Sequence, residues 1–368
     1  MAEECWPDSA QAEVARRILP DYLRLGPAQF VANADVEMQA MVAGDQVIPV
    51  VYARPGDRRA PDVCSTWSHY VRYPGSELDR GGSRAGALIK RGLLAASRPL
   101  LRFSRIDEVV SVNNWLLSTN PAPSLDRAAV ESLTARLCEQ APGRAIVFRT
   151  VNPATNPDLA EALTGSGYRM VAARTVYVLD PTSRPYRQSE NARRDRKLLS
   201  RGDYEIAGHD DLSPADMPRL AELHRALYVE KYTALNPEFS PLFFETAWRN
   251  GFFEFQALRK DGRIDAYIAF YEWQELLVAS LLGYDTRLPA ELGLYRRGVA
   301  LMTKESRRRG LRLHLSAGAG QFKYLRGARP CIEYDAIFDR HLPLRRRAGW
   351  TLLQMAGTVQ QRKVRRGW

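Results

Sequence analysis

The sequence has few of the residues that metal centres and covalent frameworks require. It contains four cysteines and five histidines in 368 residues. Cys5, Cys64, Cys138 and Cys331 form no C-x-x-C pair and have no histidine at ligand spacing. Scattered thiols of this kind are typical of a reduced intracellular protein and not of a disulfide framework or a zinc site. We therefore predict no bound metal.

Long apolar runs and the common catalytic motifs are also missing. The N-terminal stretch MAEECWPDS lacks the basic and apolar regions of a signal peptide. No apolar run approaches the ~20 residues that cross a bilayer as a helix. The sequence has no G-x-S-x-G, Walker loop or HExxH pattern. We predict a cytoplasmic protein without a transmembrane segment, and one that is not a serine hydrolase, P-loop NTPase or zinc protease.

What the chain does have is positive charge, because 53 Lys and Arg outnumber 42 Asp and Glu to give a net charge of +11. Basic residues concentrate in three short runs, at residues 184–201, 304–312 and 345–366. Such clusters attract phosphate-bearing ligands, including coenzyme A, RNA and anionic lipid headgroups. The alternative is a solvated surface produced by an arginine-rich composition, so the charge alone selects no partner.

A length of 368 residues with 45% hydrophobic residues suits two globular domains. The succession of helix, strand, short helix and strand over residues 124–179 recurs over residues 294–339. We predict a degenerate domain at residues 1–180, a basic crossover linker at 181–205, a catalytic domain at 206–342 and a basic amphipathic helix at 343–368.

The second half has the clearer pattern. Three strands at residues 252–260, 263–273 and 275–285 are joined in part by Asp261-Gly262, a strong hairpin signal. A helix over residues 294–309 ends at Gly310 and leads to a strand at 311–318. A short helix and a strand at 331–339 follow. In the first half the pattern predicts strands at 46–53, 63–73, 145–150 and 168–179, with helices at 10–25, 87–97, 124–140 and 156–165.

The end of the second half carries a resemblance. Residues 316–320 read Ser-Ala-Gly-Ala-Gly, and Phe322-Lys323-Tyr324 and Arg326-Gly327 follow. This ending, after a long helix and a strand, resembles that of the Fem-type and CelD-like acyltransferases, which are built from two fused GNAT-like domains. Phe322 stands where those families have tyrosine, so any role of that hydroxyl is either vacant or moved to Tyr324. The resemblance implies a mixed α/β fold of two tandem GNAT-like domains, the N-terminal one degenerate.

The resemblance also implies where an acyl donor binds. In a GNAT domain, backbone N–H groups of the fourth strand polarise the acyl carbonyl, and the next helix N-terminus holds the diphosphate. Here ELGLYRRG replaces the usual Arg/Gln-x-x-Gly-x-Gly/Ala loop, so coenzyme A binding follows from position in the fold and not from a motif. The expected cofactor-binding residues are Leu281, Leu282, Gly283, Tyr284, Leu292, Gly293, Leu294, Arg296 and Arg297.

Catalytic and acceptor-binding residues follow from the same positions. Tyr324 is the candidate acid for the leaving thiolate, and Lys323 matches the family's lysine. Glu254, Glu272 and Asp335 are candidate bases, although strand alternation places many such carboxylates outward. The first helix and turn of the domain imply an acceptor wall, made of His224, Tyr228, Lys231, Tyr232 and Asn236. An ordinary half-buried surface helix is the alternative.

The predicted activity is transfer of an acyl group from acyl-CoA or an acyl-carrier protein to the amine of a small metabolite or sugar, in a ternary complex. No permanently bound cofactor is expected. One alternative is a Fem-type transferase that uses aminoacyl-tRNA, although no coiled-coil insertion is present. Another is a non-catalytic ligand-binding protein on a GNAT scaffold. The C-terminal helix offers a peripheral membrane contact, with packing on the domain as the alternative, and the oligomeric state stays open.

Overall fold

A single eleven-stranded mixed sheet runs through the computed structural model, which describes residues 6–77 and 84–365. The strands, numbered along the chain, are β1 Glu37–Ala43, β2 Gln46–Tyr52, β3 Val109–Val112, β4 Ala145–Val151, β5 Arg169–Leu179, β6 Glu205–Ala207, β7 Glu254–Lys260, β8 Arg263–Trp273, β9 Leu276–Tyr284, β10 Arg312–His314 and β11 Arg329–Phe338. Their spatial order is β1-β2-β3-β4-β11-β5-β10-β9-β8-β7-β6.

Helices cover both faces of this sheet. They are α1 Ala10–Leu25, α2 Pro27–Phe30, α3 Tyr73–Glu77, α4 Arg84–Phe103, α5 Arg127–Gln140, α6 Pro157–Gly165, α7 Arg184–Arg187, α8 Glu190–Leu199, α9 Met217–His224, α10 Pro241–Arg249, α11 Leu294–Arg309, α12 Gly320–Tyr324 and α13 Leu344–Arg365. Two π-helical segments, Ser68–Arg72 and Arg225–Tyr232, continue directly from helical turns.

The two halves of the chain repeat one topology. Strands β1, β2 and β3 pair antiparallel, and β3 then pairs parallel with β4 after the crossover helix α5. In the same way β7, β8 and β9 pair antiparallel, and β9 pairs parallel with β10 after α11. A short helix and a last strand complete each half, α6 and β5 in the first and α12 and β11 in the second. The predicted mixed α/β fold of two tandem, related halves is confirmed.

The last strands of the two halves are exchanged. Strand β11, from the second half, pairs antiparallel with β4 of the first half, and β5 of the first half pairs antiparallel with β10 of the second. Between them β5 and β11 pair with each other from Arg329↔Val178 to Ile337↔Arg169. The predicted boundary near residue 180 therefore separates stretches of chain and not separate sheets.

One predicted strand, residues 63–73, is instead a turn followed by a helix that begins at Thr66. Ser65 lies at the start of this helix, where its hydroxyl oxygen accepts from the backbone N–H of Ser68 at 3.1 Å. The hydroxyl of Thr66 donates to the carbonyl of Ile106, which holds the turn against the chain preceding β3. Serine and threonine at a helix start satisfy N–H groups that lack a helical partner. This local capping outweighs the alternation of apolar residues that predicts a strand.

The basic crossover linker is tied to the second half by buried charge. On α8, Asp195 is 2% exposed and accepts from Arg296 at 2.6 Å and from Arg326 at 2.5 Å. Just beyond Arg326, Gly327 has a φ of +90°, and a Cβ there would lie 2.5 Å from the backbone nitrogen of Tyr186. Only glycine allows this close approach of α7.

Replacing Gly327 by alanine is expected to destabilise the protein far more than the same change at Gly310. Both residues have positive φ, but a Cβ at Gly310 would meet no atom within 4 Å. Gly310→Ala should cost about 1–2 kcal/mol, the ordinary penalty of a left-handed conformation, and Gly327→Ala should add the cost of displacing α7. Denaturant unfolding of the two variants measures the difference, and equal losses of unfolding free energy would contradict this packing.

Candidate functional site

A cavity of about 580 Å³ lies between the two halves. The second half supplies walls from β9, from the loop after β10, from α11 and from the π-helical segment Arg225–Tyr232. The first half supplies Asp62, His69, Tyr73, Ser118 and Arg174. Its volume falls within the range of small-molecule sites. Neither half alone encloses it.

The cavity opens where two parallel strands diverge. Strand β10 pairs with only the first three residues of β9, Leu276–Val278, whereas β9 continues to Tyr284. The pairing of β9 with β8 slips by one residue at the same place, since Ala279 pairs with Phe270 and Leu281 pairs with Ala269. Ser280 is therefore the extra residue of a β-bulge. Bulges re-aim backbone groups and are frequent next to active sites.

A strained loop forms the opposite wall. After β10, Ser316, Gly318 and Ala319 all have positive φ. Lys323 from α12 holds this loop, because its ammonium group donates to the carbonyls of Leu315 and Ala317, each at 2.7 Å, and more weakly to that of Ser316 at 3.3 Å. Burial, with the nearby Arg174 charge, lowers the pKa of Lys323 to about 7, while the carbonyl acceptors favour its charged form.

Two polar side chains of the first half face this cavity without a full set of partners. His69 Nδ1 lies 3.6 Å from Asp62 Oδ2. Among the described residues, His69 Nε2, Asp62 Oδ1 and the Ser280 hydroxyl are buried and have no hydrogen-bond partner. Buried polar atoms are normally satisfied, and unsatisfied ones at a cavity suit a ligand that supplies the missing partner.

Sequence reasoning missed His69 and Asp62 because it placed residues 63–73 in a strand. The observed π-helical turn at Ser68–Arg72 aims His69 at the cavity. Wider turns of this type are rare and occur often at functional sites. The available signal in the sequence was Asp62, seven residues before His69, one of only five histidines. Without knowledge of the π-helical turn, this spacing indicated no particular site.

Of the predicted acceptor residues, Tyr228, Tyr232 and Asn236 line the cavity. His224 lies behind them, stacked on the Tyr228 ring at 4.6 Å and held by Tyr267, whose hydroxyl is 3.2 Å from Nδ1. Lys231 donates to the Tyr284 hydroxyl at 2.9 Å. The structure thus brings three of the five predicted residues to the cavity. The other two, His224 and Lys231, contact residues that lie next to it.

Of the predicted cofactor residues, Leu281 and Leu282 line the cavity. Gly283 lies where β9 meets α9, since a Cβ there would be 3.0 Å from the backbone nitrogen of His224. Tyr284 is the partner of Lys231 described above. These residues follow the bulge along the same strand, and their role in polarising a carbonyl stays a prediction.

The predicted diphosphate site is at the beginning of α11. Leu292 ends a 3-10 turn, Gly293 caps the helix with a φ of +62°, and Leu294 is the first helical residue. Arg297 is buried and holds Asp203 through two bonds of 2.8 Å, while Arg296 holds Asp195. Both arginines therefore pair with carboxylates of the basic linker.

The other predicted catalytic residues lie outside the cavity lining. Glu254 and Glu272 both pair with Arg309, in a separate hollow. Asp335 accepts from the Tyr70 hydroxyl at 2.8 Å between the halves. Tyr324 is 37% exposed on α12. Of the five predicted catalytic residues the structure brings only Lys323 to the cavity, and the roles of the other four stay predictions.

Within residues 6–77 and 84–365 no group of His, Cys, Asp or Glu side chains could hold a metal ion. The described helices include none long and apolar enough to cross a membrane. Cys64, Cys138 and Cys331 are free thiols, and Cys5 lies outside the described residues.

Residues 187–326 match a family model described as an acetyltransferase (GNAT) domain. This match agrees with the GNAT resemblance of the second half of the sequence. The matched region spans the linker helix α8, the strands β6–β10, and the ending that contains Lys323 and Arg326. A comparison with curated protein sequences found no match.

Solved structures are similar over most of the chain. The C-terminal DUF2156 domain of a protein from Agrobacterium fabrum, described as a lysylphosphatidylglycerol synthetase, has a TM-score of 0.53 at 15% identity and covers 94% of this chain and 97% of that one. FemX gives 0.49 at 9% identity, covering 83% and 89%. A tandem GNAT protein from the clavulanic acid pathway gives 0.40 at 12% identity, covering 91% and 90%. The first similarity supports one fold across both halves.

Acid is expected to destabilise the protein through two buried histidines. Burial lowers the pKa of His224 to about 4 and that of His314 to about 3, where Arg174 and Lys323 add to the effect. An unfolded chain titrates near 6.5, so below that pH it binds protons that the native state does not. The contribution of the two neutral histidines to the free energy of unfolding is complete above pH 6.5 and is lost as the pH drops toward 4.

From pH 7 to pH 5 the free energy of unfolding should fall by about 4 kcal/mol, roughly 2 kcal/mol for each histidine. His314→Asn retains an acceptor for the Ser316 N–H, which the imidazole Nδ1 now accepts at 3.3 Å. This variant should lose about half of the pH dependence in denaturant titrations. An unchanged dependence would show that His314 is protonated in the native state.

Proposed function

We propose that this protein transfers an acyl group from a coenzyme A or carrier-protein thioester to the amine of a small metabolite or sugar. The observation that carries the proposal is the composite cavity at the divergence of β9 and β10, with the bulge at Ser280 on its wall. A thioester inserted between these strands meets the backbone of β9 where β10 no longer pairs with it. N–H groups held there are suited to polarising a carbonyl oxygen.

The reaction needs a neutral amine beside that carbonyl. The amine nitrogen attacks the thioester carbon, a C–N bond forms, and the C–S bond breaks to release the thiolate. The amine loses one proton in this exchange, and the thiolate leaves as the thiol once it takes one up. A group that accepts the proton from the amine at the cavity wall accelerates the step.

His69 is the residue best placed to accept that proton. Its Nε2 lies buried at the cavity without a partner in the described structure, and its Nδ1 faces the Asp62 carboxylate at 3.6 Å. A carboxylate at Nδ1 favours the tautomer whose Nε2 is an acceptor. The first half, which was predicted to be degenerate, thus contributes the base in this proposal.

The acceptor occupies the space between the two halves. Tyr228, Tyr232 and Asn236 offer aromatic and amide groups on one side, and Arg174 offers a guanidinium on the other. Arg174 is itself held by Glu333 at 2.7 Å. This combination of ring faces and a few fixed polar groups suits a small polar acceptor.

The donor is tested by calorimetric titration with acetyl-CoA and a longer acyl-CoA, beside deacylated tRNA, at two salt concentrations. Saturable binding of an acyl-CoA that persists at moderate salt supports the proposal. Strongly salt-dependent tRNA binding, with no response to any coenzyme A species, would refute it and favour the aminoacyl-tRNA alternative. Coenzyme A binding without turnover on any amine would favour the binding-protein alternative.

Once a turnover assay exists, His69→Gln should lower kcat by about 10²–10⁴-fold, the usual contribution of a general base, with little change in donor affinity. Asp62→Asn should lower kcat less, because it removes the orienting carboxylate and not the acceptor nitrogen. His209→Gln is the matched control, since this histidine lies outside the cavity lining. Full activity of the His69 variant would remove this residue from the mechanism.

A further inference from the structure

Helix α4 presents an apolar face that no described residue covers. Five of its large apolar side chains are exposed, namely Leu88 at 70%, Ile89 at 65%, Leu93 at 68%, Leu100 at 38% and Phe103 at 63%. At 3.6 residues per turn these five fall within a sector of about 140°. A contiguous exposed apolar patch on a globular protein usually marks an interaction site.

The other side of the same helix is already in use. Leu101 is buried and Leu94 is half-buried, and both belong to the cluster that contains Trp350 of α13. On the helical wheel they lie nearly opposite the exposed face. Helix α4 is therefore anchored by one apolar face, and the described residues leave a second one uncovered.

The charge of α4 has one sign. Residues 84–103 contain five Lys and Arg and no Asp or Glu. Lys90 lies beyond one edge of the exposed apolar sector, and Arg98 and Arg102 lie beyond the other. Basic residues that flank an apolar stripe are the pattern of helices that lie in a membrane interface.

A basic groove of about 960 Å³ continues from the arginine edge of α4. Arg98 lines it together with Arg58, Arg59 and Arg72 from the preceding chain. In the part of the chain that the structure describes, no carboxylate pairs with the guanidinium groups of Arg58, Arg59 or Arg98. Glu238, the acidic residue at the groove, is paired with Arg225 at 2.5 Å.

We infer that α4 docks on an anionic membrane surface, with its exposed apolar side chains among the outer acyl carbons and its arginine edge at the lipid phosphates. Apolar area and basic charge act together in such binding, and each basic side chain near an anionic surface adds to the attraction. A second copy of this chain fits the face poorly, because a twofold contact would bring two basic edges together without any carboxylate on α4 to balance them.

Docking in this way gives the candidate site an orientation. The basic groove includes Gly75, Ser76 and residues 233–235, and the cavity includes Tyr73, Pro74, Tyr232 and Asn236. The same two stretches of chain thus line both. A membrane bound at α4 and the groove would therefore lie on one side of these shared segments, with the cavity on their other side.

The C-terminal helix supports this surface from behind. Trp350 of α13 is buried, and the helix packs on β5 so closely that a Cβ at Gly357 would lie 2.9 Å from Ala172. Packing on the domain is the observed arrangement of α13 as far as Gly357. The predicted membrane contact of α13 is a separate prediction, and α4 carries the inference without it.

The test is flotation of the full-length protein with vesicles of phosphatidylcholine alone and of phosphatidylcholine with phosphatidylglycerol. The double variant Leu93→Ser, Phe103→Ser removes apolar area from the exposed face. The double variant Arg58→Gln, Arg98→Gln removes charge from the groove. The double variant Leu25→Ser, Ile206→Ser is the control, because it changes two side chains of 40% and 38% exposure on other elements.

The wild type and the control should bind the anionic vesicles more tightly than the neutral ones, and added salt should weaken that binding. The apolar-face variant should lose about tenfold or more in partition coefficient, and the arginine variant should lose the preference for anionic lipid. Absence of wild-type binding, or equal binding by the apolar-face variant, would overturn the inference. So would a stable dimer, without vesicle binding, that the apolar-face variant dissociates.

Discussion

The pairing of β5 with β11 is the constraint on which the rest of this structure depends. These two strands hold the centre of the sheet, and each carries on its other edge a strand from the opposite half, β10 beside β5 and β4 beside β11. Each half therefore completes its sheet only with a strand from the other. The exchange fixes the relation between the halves through backbone hydrogen bonds, which tolerate less sliding than packed side chains.

The cavity follows from this relation. The second half supplies the diverging strands and the strained loop that Lys323 holds, and the first half supplies Asp62, His69 and Arg174. Because the halves are interlocked, polar groups from the first reach a cavity whose diverging strands and loop belong to the second. The half without recognisable motifs is thus part of the site, and a search confined to residues 206–342 finds only one side of it.

The architecture of the second half could be predicted from its sequence because its signals are local. Asp261-Gly262 defines a hairpin, Gly310 ends a helix, and alternating apolar runs define three strands. The exchange of β5 and β11 could not be predicted in this way, since two strands of similar composition carry no local mark of their partner. The helical turn that carries His69 could not be predicted either. Its cap at Ser65 competes with an alternation of apolar residues that is typical of strands.

The site shows the same division. The positions of Leu281 and Leu282 along a strand, and of Tyr228, Tyr232 and Asn236 before the sheet, were enough to place them at the cavity. Their roles stay predictions. Glu254, Glu272 and Asp335 were chosen as carboxylates on strands, and their guanidinium and phenol partners, Arg309 and Tyr70, are distant in sequence. Partner choice of this kind depends on tertiary contacts, which residue type and spacing do not encode.

The central claim is that an acyl thioester enters between β9 and β10, and hydrogen–deuterium exchange with and without acetyl-CoA tests it most directly. Binding there should slow exchange in two separate segments, residues 279–282 and residues 315–319, because the ligand covers both walls. The strand pair β1 and β2, far along the sheet, should exchange unchanged. Protection confined to the groove around Arg58 and Arg98, or none in either segment at saturating ligand, would contradict the account.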